Sequence, residues 1–446
     1  MKKHKYRFSY TQSIAIGFLI MILVGAFLLS LPISSKEGEW TPFVDSLFTS
    51  TSATCVTGLV VYDTYTHWSL FGQLVLFVLI QIGGLGFITI MCLFSILAKK
   101  HVSLHQRKII MQAAGHIQLG GVMTLVRQLL IGTFLLEGIG AVLLAIRFCP
   151  QMGFWEGFYN AIFHSVSVFC GAGFDLMGKY QQFSSFTLFQ SDYMVQGVMI
   201  VLIVLSGVGF FVWTDILNHG LNVKRYALHT KLVLLVTTVL ILFGWGAFFL
   251  LEYNGALADL SLPDKIMAAL FQSVTTRTAG INTIDQGVMT GGIVLSVVLM
   301  AIGGSPGSTA GGMKTTTVLI TLLSAIATIS GKKSVTIFKK RIGDETIKQA
   351  SAILSIYLVL ILTATILLVA IEPVTMSEAV FEVTSALGTV GLSTGITPTL
   401  GAVSKIVLML LMYAGRVGGY TFVLIFATEK ARPDVERPVE KVLVIG

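Results

Sequence analysis

Apolar residues along this chain fall in long blocks separated by shorter, more polar stretches. The blocks cover 13–33, 70–98, 122–148, 193–217, 230–252, 291–326, 350–371 and 403–427. Each is near the roughly 20 residues that a bilayer-spanning helix needs, so the pattern predicts eight long spans. Between the members of each successive pair lies a shorter, less apolar stretch: 41–64, 155–180, 263–285 and 376–400.

Those four stretches resemble one another. Each opens with an amphipathic segment containing phenylalanine, such as Phe43-Val44-Asp45-Ser46-Leu47-Phe48 or Glu378-Ala379-Val380-Phe381-Glu382. A small, hydroxylated run then ends in glycine and a bulky apolar residue. The first run starts at Ser52 and ends Val56-Thr57-Gly58-Leu59; the second starts at Ser165 and ends Gly171-Ala172-Gly173-Phe174. The third starts at Ser273 and ends Thr278-Ala279-Gly280-Ile281; the fourth starts at Ser385 and ends Thr389-Val390-Gly391-Leu392. Irregular backbone at membrane depth is tolerated only where protein buries it or water lines it. Four half-helices, each followed by an extended segment around one axis, meet that condition. Such segments can aim carbonyls inward in place of an ion's hydration shell, and glycine permits the backbone geometry this needs. The half-helices would also point their negative C-terminal ends at a central cation. The expectation is an all-α membrane protein with four pseudo-repeated helix–pore loop–helix units around a central pore, comprising eight transmembrane helices and four re-entrant pore helices. The units are expected at 1–98, 99–220, 221–335 and 336–430, with a short cytoplasmic tail at 431–446.

Composition agrees. Of 446 residues, 54% are hydrophobic and 12% charged, with a mean hydropathy of +0.84; a soluble domain carries about twice that charged fraction. The net charge of +8 is uneven. Lys99-Lys100, Arg107-Lys108, Lys224-Arg225, Lys332-Lys333 and Lys339-Lys340-Arg341 occupy every second connection, with Lys430 and Arg432 near the end. The other connections are acidic, so the positive-inside rule places the basic ones and both termini in the cytoplasm. The basic balance is a topology signal, and nucleic-acid binding need not be invoked. A cleavable signal peptide competes for 13–33 after the basic start, but the run is long for one. Cys55, Cys92, Cys149 and Cys170 have no metal-ligand spacing.

Two spans are interrupted. Gly303-Gly304-Ser305-Pro306-Gly307-Ser308-Thr309-Ala310-Gly311-Gly312-Met313-Lys314-Thr315 places five glycines and a proline where the sixth span should run, a density that breaks a helix. Below the third loop it is expected to act as a movable intramembrane gate; a kinked helix without a gating role is the competing reading. Arg416 lies inside the last span, where charge is costly and points to function. It would either face the pore below the filter or be satisfied by carbonyls at a helix break. Glycines in the other second spans are explained by close helix packing. His164 is expected to be a packed helix residue rather than a ligand.

The four loops, the Gly303–Lys314 run and Arg416 together resemble the Trk/Ktr/HKT superfamily of potassium transporters, most closely its KtrB-type membrane subunits. The resemblance covers nearly the whole chain. It implies a bacterial cell-membrane protein that conducts K+ and is not an enzyme, with one selectivity glycine per loop at Gly58, Gly173, Gly280 and Gly391. It also implies a gate at Gly303–Thr315, a homodimer with one pore per subunit, and a cytoplasmic ring of nucleotide-binding RCK subunits of the KtrA or KtrC kind. No nucleotide is expected on this chain. Cys170-Gly171 replaces the usual pair of asparagines. Sodium stays open as an activator, a coupled ion or the conducted ion. A secondary transporter with broken helices would need its equivalent loops on alternating sides, whereas all four fall on the acidic side here. A non-conducting subunit would need no glycine in every loop.

Overall fold

The computed structural model of the protein describes residues 10–86 and 122–418. The basic pairs at 99–100 and 107–108, Cys92, the ends of the second and eighth expected spans, Lys430, Arg432 and the tail from 431 lie outside the described residues.

Four units follow one another with the same order: a long helix, a short re-entrant helix ending inside the molecule, and a second helical arm. The first is α1 (Tyr10–Ser30), α2 (Phe43–Cys55), the single turn α3 (Thr64–His67) and α4 (Leu70–Leu85). The second is α5 (Val122–Met152), α6 (Phe154–Cys170), α7 (Tyr193–Val208) and α8 (Phe210–His219). The third is α9 (Leu228–Glu252), α10 (Leu262–Thr275), α11 (Gly291–Ile302) and α12 (Thr315–Ile329). An antiparallel hairpin, β1 (Thr336–Ile337) and β2 (Lys340–Arg341), leads into the fourth: α13 (Asp344–Ile371), α14 (Met376–Gly388) and α15 (Ala402–Val417).

Local chemistry starts these helices where the pattern requires. Ser69 and Asp192 cap the second arms by accepting from the N–H groups of Gly72 and Val195. Thr375 and Glu378 form a capping box at the start of α14, satisfying amide groups that the helix itself cannot. The outer helices α5, α9 and α13 are long and apolar enough to cross a bilayer. Large apolar side chains such as Leu135, Phe243 and Ile366 are exposed on them, as a lipid-facing surface demands.

The second arms differ from the sequence expectation. A break was expected in the third and left open beside Arg416 in the fourth, yet all four stop at a glycine with positive φ: Gly86 (82°), Gly209 (93°), Gly303 (68°) and Gly418 (97°). The helices α4, α7 and α15 have 16 residues each, a rise of about 24 Å, short of the roughly 30 Å hydrocarbon core. Beyond Gly209 the chain turns by 91° into α8. A Cβ on Gly209 would approach the Pro306 carbonyl to 2.7 Å, so the second break is packed against the third.

The re-entrant helices seat against the outer helices through a motif shared by three units. Ser50, Ser165 and Ser273 donate to the carbonyls of Ile22 (2.7 Å), Glu137 (2.6 Å) and Ile241 (2.9 Å). One turn further along each outer helix, Gly25, Gly140 and Gly244 leave room for that serine and for Leu79, Leu202 and Leu299 of the second arm. Small residues at such crossings let helices approach closely. Val383 takes the serine's place in the fourth unit.

Gly244→Val is expected to lower stability by about 1–3 kcal/mol through overpacking, because its new side chain would overlap Ser273. Gly246→Val, with open space around it, leaves the thermal midpoint in detergent near wild type.

Candidate functional site

The re-entrant helices α2, α6, α10 and α14 bring their C-terminal ends together, and the strands that follow meet in a closed ring. A Cβ on Gly58 would lie 2.6 Å from the Ala172 carbonyl and 2.8 Å from Gly173 Cα. One on Gly173 would reach Gly58 Cα at 3.0 Å and Gly280 Cα at 3.3 Å; one on Gly280 would overlap the Val390 carbonyl, and one on Gly391 the Thr57 carbonyl. All four glycines have positive φ, between 67° and 99°. The ring thus runs through the units in chain order and closes the fourth onto the first. It leaves no room for a side chain between neighbouring strands, and it brings the carbonyls of Thr57, Ala172, Ala279 and Val390 to one level.

Each strand is fixed from behind. The backbone N–H groups of Thr57, Ala172, Ala279 and Val390 donate to Ser52, Ser167, Thr275 and Ser385 carbonyls at 2.8, 2.7, 3.0 and 2.9 Å. The same four residues also use their hydroxyls. Ser52 and Ser385 accept from the N–H of Gly58 and Gly391, both at 3.0 Å. Ser167 and Thr275 donate to the carbonyls of Phe174 and Ile281. Val56, Gly171 and Thr389 leave their helices through the left-handed region, with φ of 57°, 75° and 50°. That conformation is costly for a β-branched residue, by about 1–3 kcal/mol. The third strand differs: its helix ends at Thr276 in ordinary helical geometry and reaches its glycine one residue sooner. The sequence reading picked out the run starts at Ser165 and Ser273, but Ser167 and Thr275 do the tying.

The bulky residues after the glycines, Leu59, Phe174, Ile281 and Leu392, have no exposed surface. Each lies in an apolar cluster joining its own unit to the preceding one. Leu59 packs in a cluster with Leu368 and Leu408 of the fourth unit, and Phe174 in one with Leu29 and Leu76 of the first. Lys405 and Asp45 add a 2.7 Å ion pair across the same fourth-to-first boundary.

The Gly303–Lys314 segment is compact and folds beneath the strands. The N–H of Ser305 donates to the Gly207 carbonyl (3.1 Å), and that of Phe210 to Gly307 (2.9 Å). Ser305 and Thr315 hydroxyls meet at 3.1 Å, and Lys314 Nζ donates to the Ala310 carbonyl. Gly311 lies against Thr389 and the Gly388 carbonyl, so the segment touches the fourth strand's origin. The Arg416 guanidinium donates to the Thr309 carbonyl in this segment and to those of Gly83 and Gly84 at the end of α4. The Gly83 carbonyl also accepts the Gly86 N–H at 3.2 Å, so it is shared between the end of α4 and Arg416. Arg416 therefore bonds to carbonyls at helix breaks, one of the two arrangements the sequence left open. His164 is buried, its Nδ1 on the Asn160 carbonyl (2.7 Å) and its Nε2 accepting from the Leu176 N–H (3.0 Å). It is the packed helix residue expected. Outside the strands, burial pushes the Asp175 carboxyl up to about 7, with the Met177 N–H opposing and nearby Asp63 adding to the rise.

Four repeats of outer helix, re-entrant helix and second arm, with outer helices long and apolar enough to cross a bilayer, define a multi-pass membrane protein. The family model described as TrkH, cation transport protein, matches residues 9–436. The chain belongs to the TrkH family of cation transport proteins. It is 40% identical to the potassium/sodium uptake protein NtpJ of Enterococcus hirae, over 99% of both chains. It is also 40% identical to the Ktr system potassium uptake protein B of Bacillus subtilis, over 96% of both. These relatives bear out the likeness to KtrB-type membrane subunits. The crystal structure of the potassium transporter TrkH from Vibrio parahaemolyticus shares the fold, with a TM-score of 0.73 at 20% identity, covering 96% of this chain and 86% of that one.

Thr275→Val removes the hydroxyl tie to the third strand and should lower stability by about 0.5–1.5 kcal/mol. Thr276→Val removes a hydroxyl that only bonds back to Gln272 and Ser273 of its own helix; thermal midpoints in detergent should separate the two.

Proposed function

We propose that this chain is the ion-conducting membrane subunit of a bacterial potassium uptake system, and that K+ passes through the ring of strands around Gly58, Gly173, Gly280 and Gly391. The observation that carries this reading is the closed ring itself. Side-chain-free neighbours let the carbonyl-bearing residues 56–59, 171–174, 278–281 and 389–392 stand close around one axis. Their carbonyls replace water around a dehydrated cation, and the C-terminal ends of four half-helices favour its positive charge. K+ is the favoured cargo because relatives are named for potassium uptake and the first loop carries glycine. Sodium, which the Enterococcus relative's name includes, is the alternative cargo or activator.

The Gly303–Lys314 segment, just below the strands, acts as the gate. Arg416 stabilises its closed position through the Thr309 carbonyl and adds a positive barrier below the filter. The system names of the relatives support a multi-component assembly, here a homodimer on a cytoplasmic RCK ring that binds the nucleotide. Both termini face the cytoplasm by the distribution of basic residues.

The test is complementation of a potassium-uptake-deficient bacterium at limiting K+, with and without an RCK partner. The wild-type chain should restore growth. Gly58→Ser and Gly280→Ser should cut K+ uptake by at least about tenfold or lose preference for K+, since each side chain displaces a neighbouring carbonyl. Restored uptake with unaltered selectivity would sink the filter assignment. Arg416→Gln should change transport rate or ion dependence; unchanged uptake with normal assembly removes its role in the pore.

A further inference from the structure

We propose that Glu382 is a positioning residue that sets the ion preference of the fourth strand, an inference that rests on reading the four strands as a filter. Glu382 lies in α14 with no exposed surface. Its carboxylate accepts the hydroxyl of Ser393, and that of Thr397 at 3.1 Å; the two hydroxyls are themselves 3.1 Å apart. Ser393 immediately follows Leu392, so the carboxylate holds the chain directly as it leaves the glycine ring. No basic side chain forms an ion pair with Glu382 among the described residues.

The equivalent positions show what is particular to it. His164 stands at the same separation from Gly173 and receives the Leu176 N–H. Gln272, one residue nearer its glycine in the shortened third unit, exchanges hydrogen bonds of 2.7 and 3.2 Å with Gln286, the counterpart of Thr397. Thr49 holds the place in the first unit but only bonds back to the Asp45 carbonyl (2.9 Å). There Tyr62 ties the departing strand instead, donating to Asp45 Oδ2 at 2.9 Å, and Lys405 pairs with that same carboxylate. The four strands are thus moored by four different polar groups. Only the fourth mooring is a carboxylate free of a basic partner.

Burying such a group is expensive unless it is satisfied. Two hydroxyls satisfy it here and at the same time fix the fourth strand's carbonyls. A mooring of this kind changes how closely the strand can close on a smaller ion.

The experiment measures K+ uptake and its inhibition by Na+ in the full transporter system, for wild type, Glu382→Gln, Ser393→Ala and the double variant. The amount of each protein in the membrane and its detergent melting point are recorded alongside. Glu382→Gln should raise the KM for K+ and reduce K+ over Na+ discrimination by about tenfold, the scale of hydrogen bonds to a charged group. Vmax per membrane-inserted protein should hold. Ser393→Ala should shift KM in the same direction, and the double variant should add little to Glu382→Gln, as coupled partners do. A fall in Vmax or melting point with KM and discrimination unchanged would make Glu382 merely structural and overturn the proposal. So would additive effects of the two changes. Failure of the wild-type chain to take up K+ at all would instead sink the parent reading.

Discussion

Extended backbone cannot stand in hydrocarbon with its amide groups unpaired, and that constraint organises this whole molecule. The four strands around Gly58, Gly173, Gly280 and Gly391 are admissible only because something satisfies their outward-facing groups while the ring occupies the centre. Each re-entrant helix meets the demand with one hydroxylated residue, Ser52, Ser167, Thr275 or Ser385. Its carbonyl takes one N–H, and its hydroxyl takes a second N–H or supports a carbonyl. The hydroxyl accepts in the first and fourth units and donates in the second and third. The ring is therefore fourfold in outline and unequal in chemistry.

The apolar side of the same constraint is an interlock. Leu59, Phe174, Ile281 and Leu392 each lodge in a cluster that includes the preceding unit. None of these four side chains is buried by its own unit alone. Hydrophobic burial and strand geometry are consequently one problem: moving a strand means withdrawing a large side chain from a neighbour's core, and tightly packed interiors resist that.

Much of this was legible in the sequence because the requirements are local. Span length, the glycine with its bulky follower, and the dense glycine–proline run in the third unit are each carried by adjacent residues. The helix ends at Gly86 and Gly209 were not legible. A single glycine costs a helix about 1 kcal/mol relative to alanine, and what decides a break is the packing across it, as where the Pro306 carbonyl lies against Gly209. The buried moorings were hidden for a similar reason. Glu382 finds Ser393 and Thr397, and Gln272 finds Gln286, only after the chain has turned through the centre. The glycine–serine seats were closer to visible, since Gly25 and Gly140 precede Ser50 and Ser165 by the same distance.

The ion pair of Lys405 with Asp45 joins residues 360 positions apart, and that span bears on how the protein is made. Synthesis delivers the units in order, and the first three can associate pairwise as they emerge. The first strand's far neighbour does not exist until nearly the whole chain has been released. Until then the buried Leu59 and the partly buried acid Asp45 face an open seam inside the bilayer. Non-local closure of this kind is slow and leaves incomplete forms exposed. A nascent chain arrested before α15 would carry three strands with an unsealed edge, a natural target for membrane quality control.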